Sequence, residues 1–256
     1  MNIYVEYLAI ILAGLVAGFI NTLAGSGSLI TLGLLTFLGV PATVANGSNR
    51  VGVLFQNITG GWGFYQQDKM DVRGGLILAV PAMLGSLLGA NIAADLNEEL
   101  MRQAIGVVMV LMLFVILQRP KRWLEGTREK FEGNPSLIQI GMFFLIGIYG
   151  GFIQAGVGIF LLAGLVLSAG YNLVHANATK MLINLIFTIV ALGVFIYNDQ
   201  VRWDIGLLLA IGNATGGWIA ARMAVNRGAE FVRYVLIVVI VLAAANLLGV
   251  FDLIFG

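Results

Sequence analysis

The chain has 256 residues, of which 59% are hydrophobic and 11% are charged, and its formal net charge is +1. This composition excludes an ordinary soluble domain, in which about 25% of residues are charged, and the charge balance gives no indication of a nucleic-acid partner. The absence of cysteine excludes disulfides, thiolate metal sites and cysteine nucleophiles. Apolar runs of roughly 20 residues, the length that crosses a hydrocarbon core of about 30 Å, predict an all-α polytopic membrane protein.

The first half of the chain is predicted to hold four long membrane helices and one short one. Its N-terminus, MNIYVEYLAIILAGLVAGF, has no basic residue before the apolar run, so we expect a retained membrane helix rather than a cleaved signal peptide. The short apolar segment has about 13 residues, a length typical of re-entrant or broken elements. The predicted long helices cover 4–24, 43–64, 74–95 and 101–117, and the short segment covers 26–38.

A hydrophilic segment, RPKRWLEGTREKFEGNPS at 119–136, divides the chain almost in half. It carries five Lys and Arg residues, which are enriched in cytoplasmic loops, so we expect it to face the cytoplasm. The sequence thus predicts a first transmembrane repeat over 1–118 and a second over 137–256. In the second half the predicted long helices cover 137–155, 174–197, 204–225 and 233–255, and a short segment covers 157–169.

The two halves resemble each other in sequence. GFIN at 18–21 matches GFIQ at 151–154, AGSG at 24–27 matches AGVG at 155–158, and a constant offset of 131 residues continues from there. Internal duplication is common in transporters, where the substrate site lies between the repeats. Inverted repeats would place 10 basic residues in inside loops and 2 outside, whereas parallel repeats would place 8 and 4. Because Lys and Arg accumulate inside, the sequence favours inverted repeats with 8 to 10 spans.

Glycine breaks precede both short segments. Glycine allows positive φ and exposes backbone N–H groups, and the start of the helix that follows favours an anion through its N–H groups and its dipole. In lipid, such groups must be buried in protein or face a wet cavity. Close helix packing or a plain tight turn would also explain the breaks, but their duplication favours an anion-binding role. The break residues are Gly25, Ser26, Gly27 and Ser28 in the first half and Gly156 and Gly158 in the second.

Each half then places a polar stripe with one cation in an otherwise apolar helix. An intramembrane cation without a nearby carboxylate needs another counter-charge, and we expect a bound anion to supply it; a cation that snorkels to the membrane surface is the alternative. We therefore expect neutral substitutions of either cation to weaken anion binding and to leave the ligand-free protein stable. Asn21 and Gln154 precede the breaks, and their amides would donate either to the ligand or to unwound backbone. The stripes are Asn46, Asn49, Arg50 and Asn57 in the first half and Asn177, Lys180, Asn184 and Thr188 in the second.

The chain resembles the sulfite exporter TauE/SafE family over nearly its whole length. The resemblance is carried by GLVAGFINTLAGSGSLITLGLLTFLGVPATVANGSNRVG and DKMDVRGGLILAVPAMLGSLLGANIA, and in the second half by GIYGGFIQAGVGIFLLAGL, VHANATKML and VRWDIGLLLAIGNATGGWIAARM. Members usually show a denser glycine run, Gly-x-Gly-Gly-Gly, where this chain has Gly-Ser-Gly-Ser and Gly-Val-Gly-Ile. The resemblance implies a multi-pass transporter of the bacterial inner (plasma) membrane that exports sulfite, sulfonates or related small organosulfur anions and needs no cofactor.

Two functions of other classes remain open. One is a non-transporting membrane scaffold or assembly factor. The other is an intramembrane hydrolase that uses Ser26 or Ser28 with His175, although the sequence lacks the Gly-x-Ser-x-Gly elbow and a third residue to orient the histidine. We expect His175 to lie at a helix start in an interfacial or capping role. The expected partners are a small anionic substrate and the lipid bilayer, and a homodimer is left open.

Overall fold

The computed structural model describes residues 3–117 and 128–247, and in this part of the chain the backbone is helical, without a strand. One turn of π-helix, Gly164–Ser168, extends α7, and α9 is interrupted at Gly228, whose φ of 72° is not helical. The helices are α1 (Ile3–Leu23), α2 (Ser28–Phe37), α3 (Ala42–Tyr65), α4 (Val72–Ala94), α5 (Glu98–Leu117), α6 (Leu137–Phe152), α7 (Val157–Ala163), α8 (Leu173–Tyr197) and α9 (Trp203–Leu247).

The predicted helices agree with the observed ones to within a few residues, and the all-helical fold is confirmed. The short segments predicted at 26–38 and 157–169 are helices at Ser28–Phe37 and Val157–Ser168. The stretches 118–127, in the linker, and 248–256, in the last predicted helix, lie outside the described residues. Four of the described helices are long and apolar enough to cross a membrane, namely Ile3–Leu23, Val72–Ala94, Leu173–Tyr197 and Trp203–Gly228.

Glycines spaced four residues apart join the first helix of each half to the fourth helix of the other half. Without a side chain at these positions, α1 packs directly on the backbone of α9, and α6 packs in the same way on α4. Small residues at this spacing allow helices to approach closely where water does not drive association. The glycines are Gly14 and Gly18 in α1, Gly212 and Gly216 in α9, Gly147 and Gly151 in α6, and Gly85 and Gly89 in α4.

The contacts between helices also show their directions. The helices α1 and α3 and the first segment of α9 run in one direction, and α4, α6 and α8 run in the other. The first helices of the two halves, α1 and α6, are therefore antiparallel. The contacts that set these directions are Ile11–Gly212 and Leu15–Gly216 between α1 and α9, Gly52–Leu209 and Gly63–Ala221 between α3 and α9, Ala82–Gly147 and Ser86–Gly151 between α4 and α6, Gly75–Leu182 and Ser86–Phe187 between α4 and α8, and Gly47–Phe195 and Gly61–Met181 between α3 and α8.

Unusual backbone conformations recur at positions 131 residues apart. The φ angles are 82° at Gly25 and 73° at Gly156, and both glycines lie in the breaks before the short helices. After the short helices, Gly39 and Gly170 both have a φ of 78°. The turns after the third helices contain the non-glycine residues with positive φ, Asp68 at 54° and Asp199 at 55°. The two halves thus turn in the same way at three matched places.

The end of the linker is attached to the helical body through Asp71, which caps α4. Its carboxylate accepts hydrogen bonds from the Gly74 N–H at 3.0 Å, the Phe131 N–H at 2.6 Å and the Tyr171 hydroxyl at 2.6 Å. Burial alone raises the pKa of Asp71, but these hydrogen bonds outweigh it and hold that pKa below its usual value. The start of α4, the loop before α8 and the segment 128–136 are therefore joined at one charged group.

Candidate functional site

The two glycine breaks meet inside the protein. Residues 25–28 and 155–159 are all buried, and the backbones of Gly25 and Gly158 touch so closely that a Cβ at either position would overlap the other residue. The fold therefore brings together two breaks that lie 131 residues apart in the chain. Each break ends one helix and begins a short one, so four helix ends lie near this contact.

The first turn of α2 has no side-chain cap. Ser26 and Ser28 flank its start, and their hydroxyls are buried without a hydrogen-bond partner among the described residues. A buried hydroxyl that makes no hydrogen bond is unfavourable, by about 1–3 kcal/mol. Such groups indicate a place where a bound ligand would complete the hydrogen bonding.

Arg50, in α3, is completely buried and reaches the carboxyl end of α6. Its Nη1 atom donates to the Gly150 carbonyl at 3.0 Å and to Gln154 Oε1 at 3.2 Å, and its Nη2 atom donates to the Gly151 carbonyl at 2.5 Å. The guanidinium also lies 4.7 Å from the ring centre of Phe195 in α8. Its Nε atom has no hydrogen-bond partner in the described part of the chain.

Lys180, in α8, is also completely buried and reaches the carboxyl end of α1. Its Nζ atom donates to the Asn21 carbonyl at 3.0 Å, to the Thr22 carbonyl at 2.8 Å and to Asn177 Oδ1 at 2.7 Å. Each cation thus comes from the third helix of one half and binds the end of the first helix of the other half.

These contacts bear on two expectations about the cations. The carboxyl end of a helix carries about half a negative charge, and the carbonyls there have no partner within the helix. The helix ends therefore supply a counter-charge to each cation, and the anion that we expected in this role stays a prediction. Snorkelling is wrong, because neither side chain reaches the protein surface. The sequence does not show such a pairing, because the backbone acceptors are 100 or more positions away along the chain.

The predicted amides form a hydrogen-bond network across the halves. Gln154 donates to Asn184 Oδ1 at 2.9 Å, Asn184 donates to Asn57 Oδ1 at 3.2 Å, and Thr188 donates to Asn184 Oδ1 at 3.2 Å. Because Gln154 also accepts from Arg50, the network connects the second break to both stripes. Further contacts are Asn46 Nδ2 to the Phe152 carbonyl at 2.8 Å and Asn21 Nδ2 to Gln56 Oε1 at 3.0 Å.

Two residues of this network were missed at the level of sequence. Gln56 is completely buried and contacts Asn21, and Thr31 donates to Asn49 Oδ1 at 2.6 Å. The signal for Gln56 was present, because it lies seven residues after Asn49 and so belongs to the same helical face. Thr31 had no comparable signal, since a single hydroxyl in a short apolar helix is common.

Hydrogen-bond donors without a partner outnumber acceptors in this region. In the part of the chain that the structure describes, two side-chain acceptors are buried without a partner, Asn46 Oδ1 and Gln200 Oε1, and Gln200 lies against Gly47, next to Asn46. This imbalance favours a ligand that offers acceptors, such as an oxyanion. The unpartnered donors are the side-chain amides of Asn49, Asn57 and Asn177, the hydroxyls of Ser26 and Ser28, and Nε of Arg50.

His175 lies at the start of α8, as expected. Asn172 precedes this helix, and its Oδ1 atom accepts from the His175 N–H at 3.0 Å and lies 2.9 Å from Nδ1 of the ring. A serine hydrolase would need a Ser–His hydrogen bond, and the described residues contain none with His175. Among the same residues, no group of His, Asp and Glu side chains is placed to hold a metal ion.

Comparisons with known proteins agree with this architecture. The sequence model of the family described as sulfite exporter TauE/SafE matches residues 10–247. A probable membrane transporter protein of Sinorhizobium sp, ORF9, is 25% identical over 237 residues, which are 93% of this chain and 90% of that protein. A probable membrane transporter protein of Haemophilus influenzae is 24% identical over 250 residues, 96% of each chain. No solved structure matches. The chain is therefore a membrane transporter that belongs to the TauE/SafE family.

Proposed function

We propose that this transporter exports a small oxyanion of the sulfite or sulfonate class through a site between the two glycine breaks. The observation that carries the proposal is the set of buried hydroxyl and amide donors without partners around the breaks, which an oxyanion would satisfy. Ser26 and Ser28 are the proposed first contacts, since their hydroxyls lie at the start of α2, where the helix dipole also favours negative charge. The neighbouring glycines would bring backbone N–H groups close to the anion.

The two halves are proposed to be inverted repeats that hold the site between them. The antiparallel course of α1 and α6 and the matched backbone turns support this arrangement. In such transporters, broken helices lie at the substrate site near the centre of the bilayer, and one repeat moves against the other.

Anion export requires no dedicated coupling ion. An anion that leaves an inside-negative cell gains about 2.3 kcal/mol per charge for each 100 mV. Among the described residues, no Asp or Glu inside a helix is buried, and the buried Asp71 precedes α4. This part of the chain therefore offers no buried helical carboxylate for a proton or sodium relay. Import of an anion against the inside-negative membrane potential would need such a carboxylate to couple it to a proton or a sodium ion.

The segment 119–136 is proposed to face the cytoplasm, and a labelling experiment tests this. The chain has no cysteine, so single cysteines report on one position each. Asn134 and Asp95 are exposed and lie beyond opposite ends of the helical body, the first before α6 and the second after α4. In intact cells, an impermeant thiol reagent should label Asp95→Cys and should label Asn134→Cys only after permeabilisation. Labelling of Asn134→Cys from outside would reverse the orientation.

Binding and flux measurements test the function itself. The purified protein should be stabilised by sulfite or a sulfonate in a thermal-shift screen that includes sulfate, thiosulfate, taurine and simple carboxylates. Vesicles that contain the protein should release the same anion at a saturable rate. A protein that binds none of these anions and gives no flux would be explained better by the scaffold alternative.

A pair of variants tests where the anion binds. The double variant Ser26→Ala, Ser28→Ala should raise the dissociation constant for sulfite roughly tenfold or more, because a hydrogen bond to a charged group contributes about 1.5–3 kcal/mol. Its ligand-free stability should change little, since neither hydroxyl has a protein partner. Ser86→Ala is the control: it removes a buried hydrogen bond to the Phe187 carbonyl and should lower stability without changing the dissociation constant. Unchanged sulfite binding by the double variant would move the site elsewhere.

A further inference from the structure

The two buried cations hold helix ends of opposite halves, and this arrangement assigns them a role beyond charge. We propose that Arg50 and Lys180 are positioning residues, which fix the two glycine breaks relative to each other by binding the backbone rather than the transported anion. One of the two tests measures transport of sulfite, so this part of the inference rests on the proposed function. The other test measures the stability of the ligand-free protein and does not depend on the proposed function.

The hydrogen bonds of Lys180 leave little for a ligand. An ammonium group has three donor hydrogens, and the structure supplies at least three acceptors, among them the carbonyls of Asn21 and Thr22 and the side chain of Asn177. An anion would have to displace one of them, and that acceptor would then lose its hydrogen bond to the ammonium group. Lys180 therefore acts on the anion site through the end of α1.

Arg50 has a similar role at the end of α6, with a more rigid geometry. The last carbonyls of a helix have no partner within it, and lipid offers no water to replace one. Arg50 binds the carbonyls of Gly150 and Gly151, and the break at Gly156 follows within a few residues. Gln154 and the ring of Phe195 hold the guanidinium from two further sides. Its plane is thus fixed by contacts to α6, α8 and the break.

The two cations are not equivalent in this role. A guanidinium presents several donors in one plane, whereas an ammonium is a compact charge with rotating donors. A lysine at position 50 could keep one carbonyl but could not also keep Gln154 and the stacking on Phe195. We therefore expect Arg50→Lys to give a folded protein in which the second break is no longer held in place.

The test uses the full-length protein, purified without ligand and also reconstituted in vesicles with sulfite as the probe. Arg50→Gln and Lys180→Gln should lower the midpoint of thermal unfolding of the ligand-free protein by roughly 5 °C or more. Arg50→Lys should lower it less, but should reduce the maximal rate of sulfite efflux about tenfold while the KM for sulfite changes less than about threefold. Arg202→Gln is the matched control, because this cation is exposed and pairs with Asp204, and it should change none of these quantities.

Each outcome decides between positioning and direct binding. Unchanged ligand-free midpoints together with a tenfold or larger rise in the KM for sulfite would show that the cations bind the anion and would overturn the proposal. If the wild type carries no sulfite, the proposed substrate is wrong, and the ligand-free midpoints still decide whether the cations stabilise the helix ends. If the neutral variants do not fold, the maximal rate and the KM of Arg50→Lys, measured separately, still decide: a fall in the rate alone supports positioning, and a rise in KM contradicts it.

Discussion

Replacing Gly25 by alanine is expected to abolish transport and to lower the free energy of unfolding by roughly 3 kcal/mol or more. Two effects add at this position. The φ of 82° is a left-handed conformation that costs a residue with a Cβ about 1–2 kcal/mol. The new methyl group would also overlap the backbone of Gly158, and overpacking of a tight contact costs about 1–3 kcal/mol. Denaturation of the purified protein and flux in vesicles measure the two results.

The chain contains a control that separates these effects. Gly39 has a φ of 78° but open space where its Cβ would lie, so Gly39→Ala should show only the conformational cost. Gly158→Ala is the complementary variant, since Gly158 lies inside α7 and the backbone of Gly25 is what its Cβ would meet first. Gly193→Ala, in an open position of α8, serves as its control. If Gly25→Ala and Gly39→Ala lost the same stability, the contact between the breaks would not be a tight one.

Replacing Asn184 by leucine is expected to have the second largest effect, a loss of roughly 3 kcal/mol or more in unfolding free energy. The substitution would leave three buried groups without a partner: the amide of Gln154, the hydroxyl of Thr188 and the side-chain oxygen of Asn57. Each such group costs about 1–3 kcal/mol. Because Gln154 also accepts from Arg50, we expect transport to fall as well.

Asn198→Leu provides the comparison for this variant. Asn198 follows α8, is exposed, and donates only to the nearby Val194 carbonyl, so its replacement should cost less than about 1 kcal/mol. Urea denaturation in detergent, measured for both variants side by side, gives the difference. A similar loss of stability in the two variants would show that the network across the halves adds nothing beyond local capping.

The sequence was informative wherever the signal is local. The glycines before Ser28 and the length of the apolar run predicted the bounds of α2 to within two residues. Both signals are local, because each is contained in a short stretch of the sequence. The buried stripe on α3 followed from helical spacing in the same way. The meeting of Gly25 and Gly158 could be expected only because the break occurs twice in the chain.

The partners of the cations could not be predicted, for a physical reason. Arg50 and Lys180 bind carbonyl groups, and every residue has a carbonyl, so no residue type marks the acceptor. Only the three-dimensional path of α1 and α6 brings unpaired carbonyls to these side chains. The reasoning from a missing carboxylate to a bound anion did not include these carbonyls, because it considered side chains alone as counter-charges.

The exchange of packing partners between the halves has a consequence for biosynthesis. The face of α1 that carries Gly14 and Gly18 finds its partner around Gly212, about 200 residues later in the chain. At roughly 5–20 residues per second, the ribosome needs on the order of 10 s or more to make that partner. During this time α1 persists as a single helix, since its backbone hydrogen bonds are internal. A first half made alone would leave both α1 and α4 without their neighbours, so the two halves, expressed as separate chains, should accumulate only together.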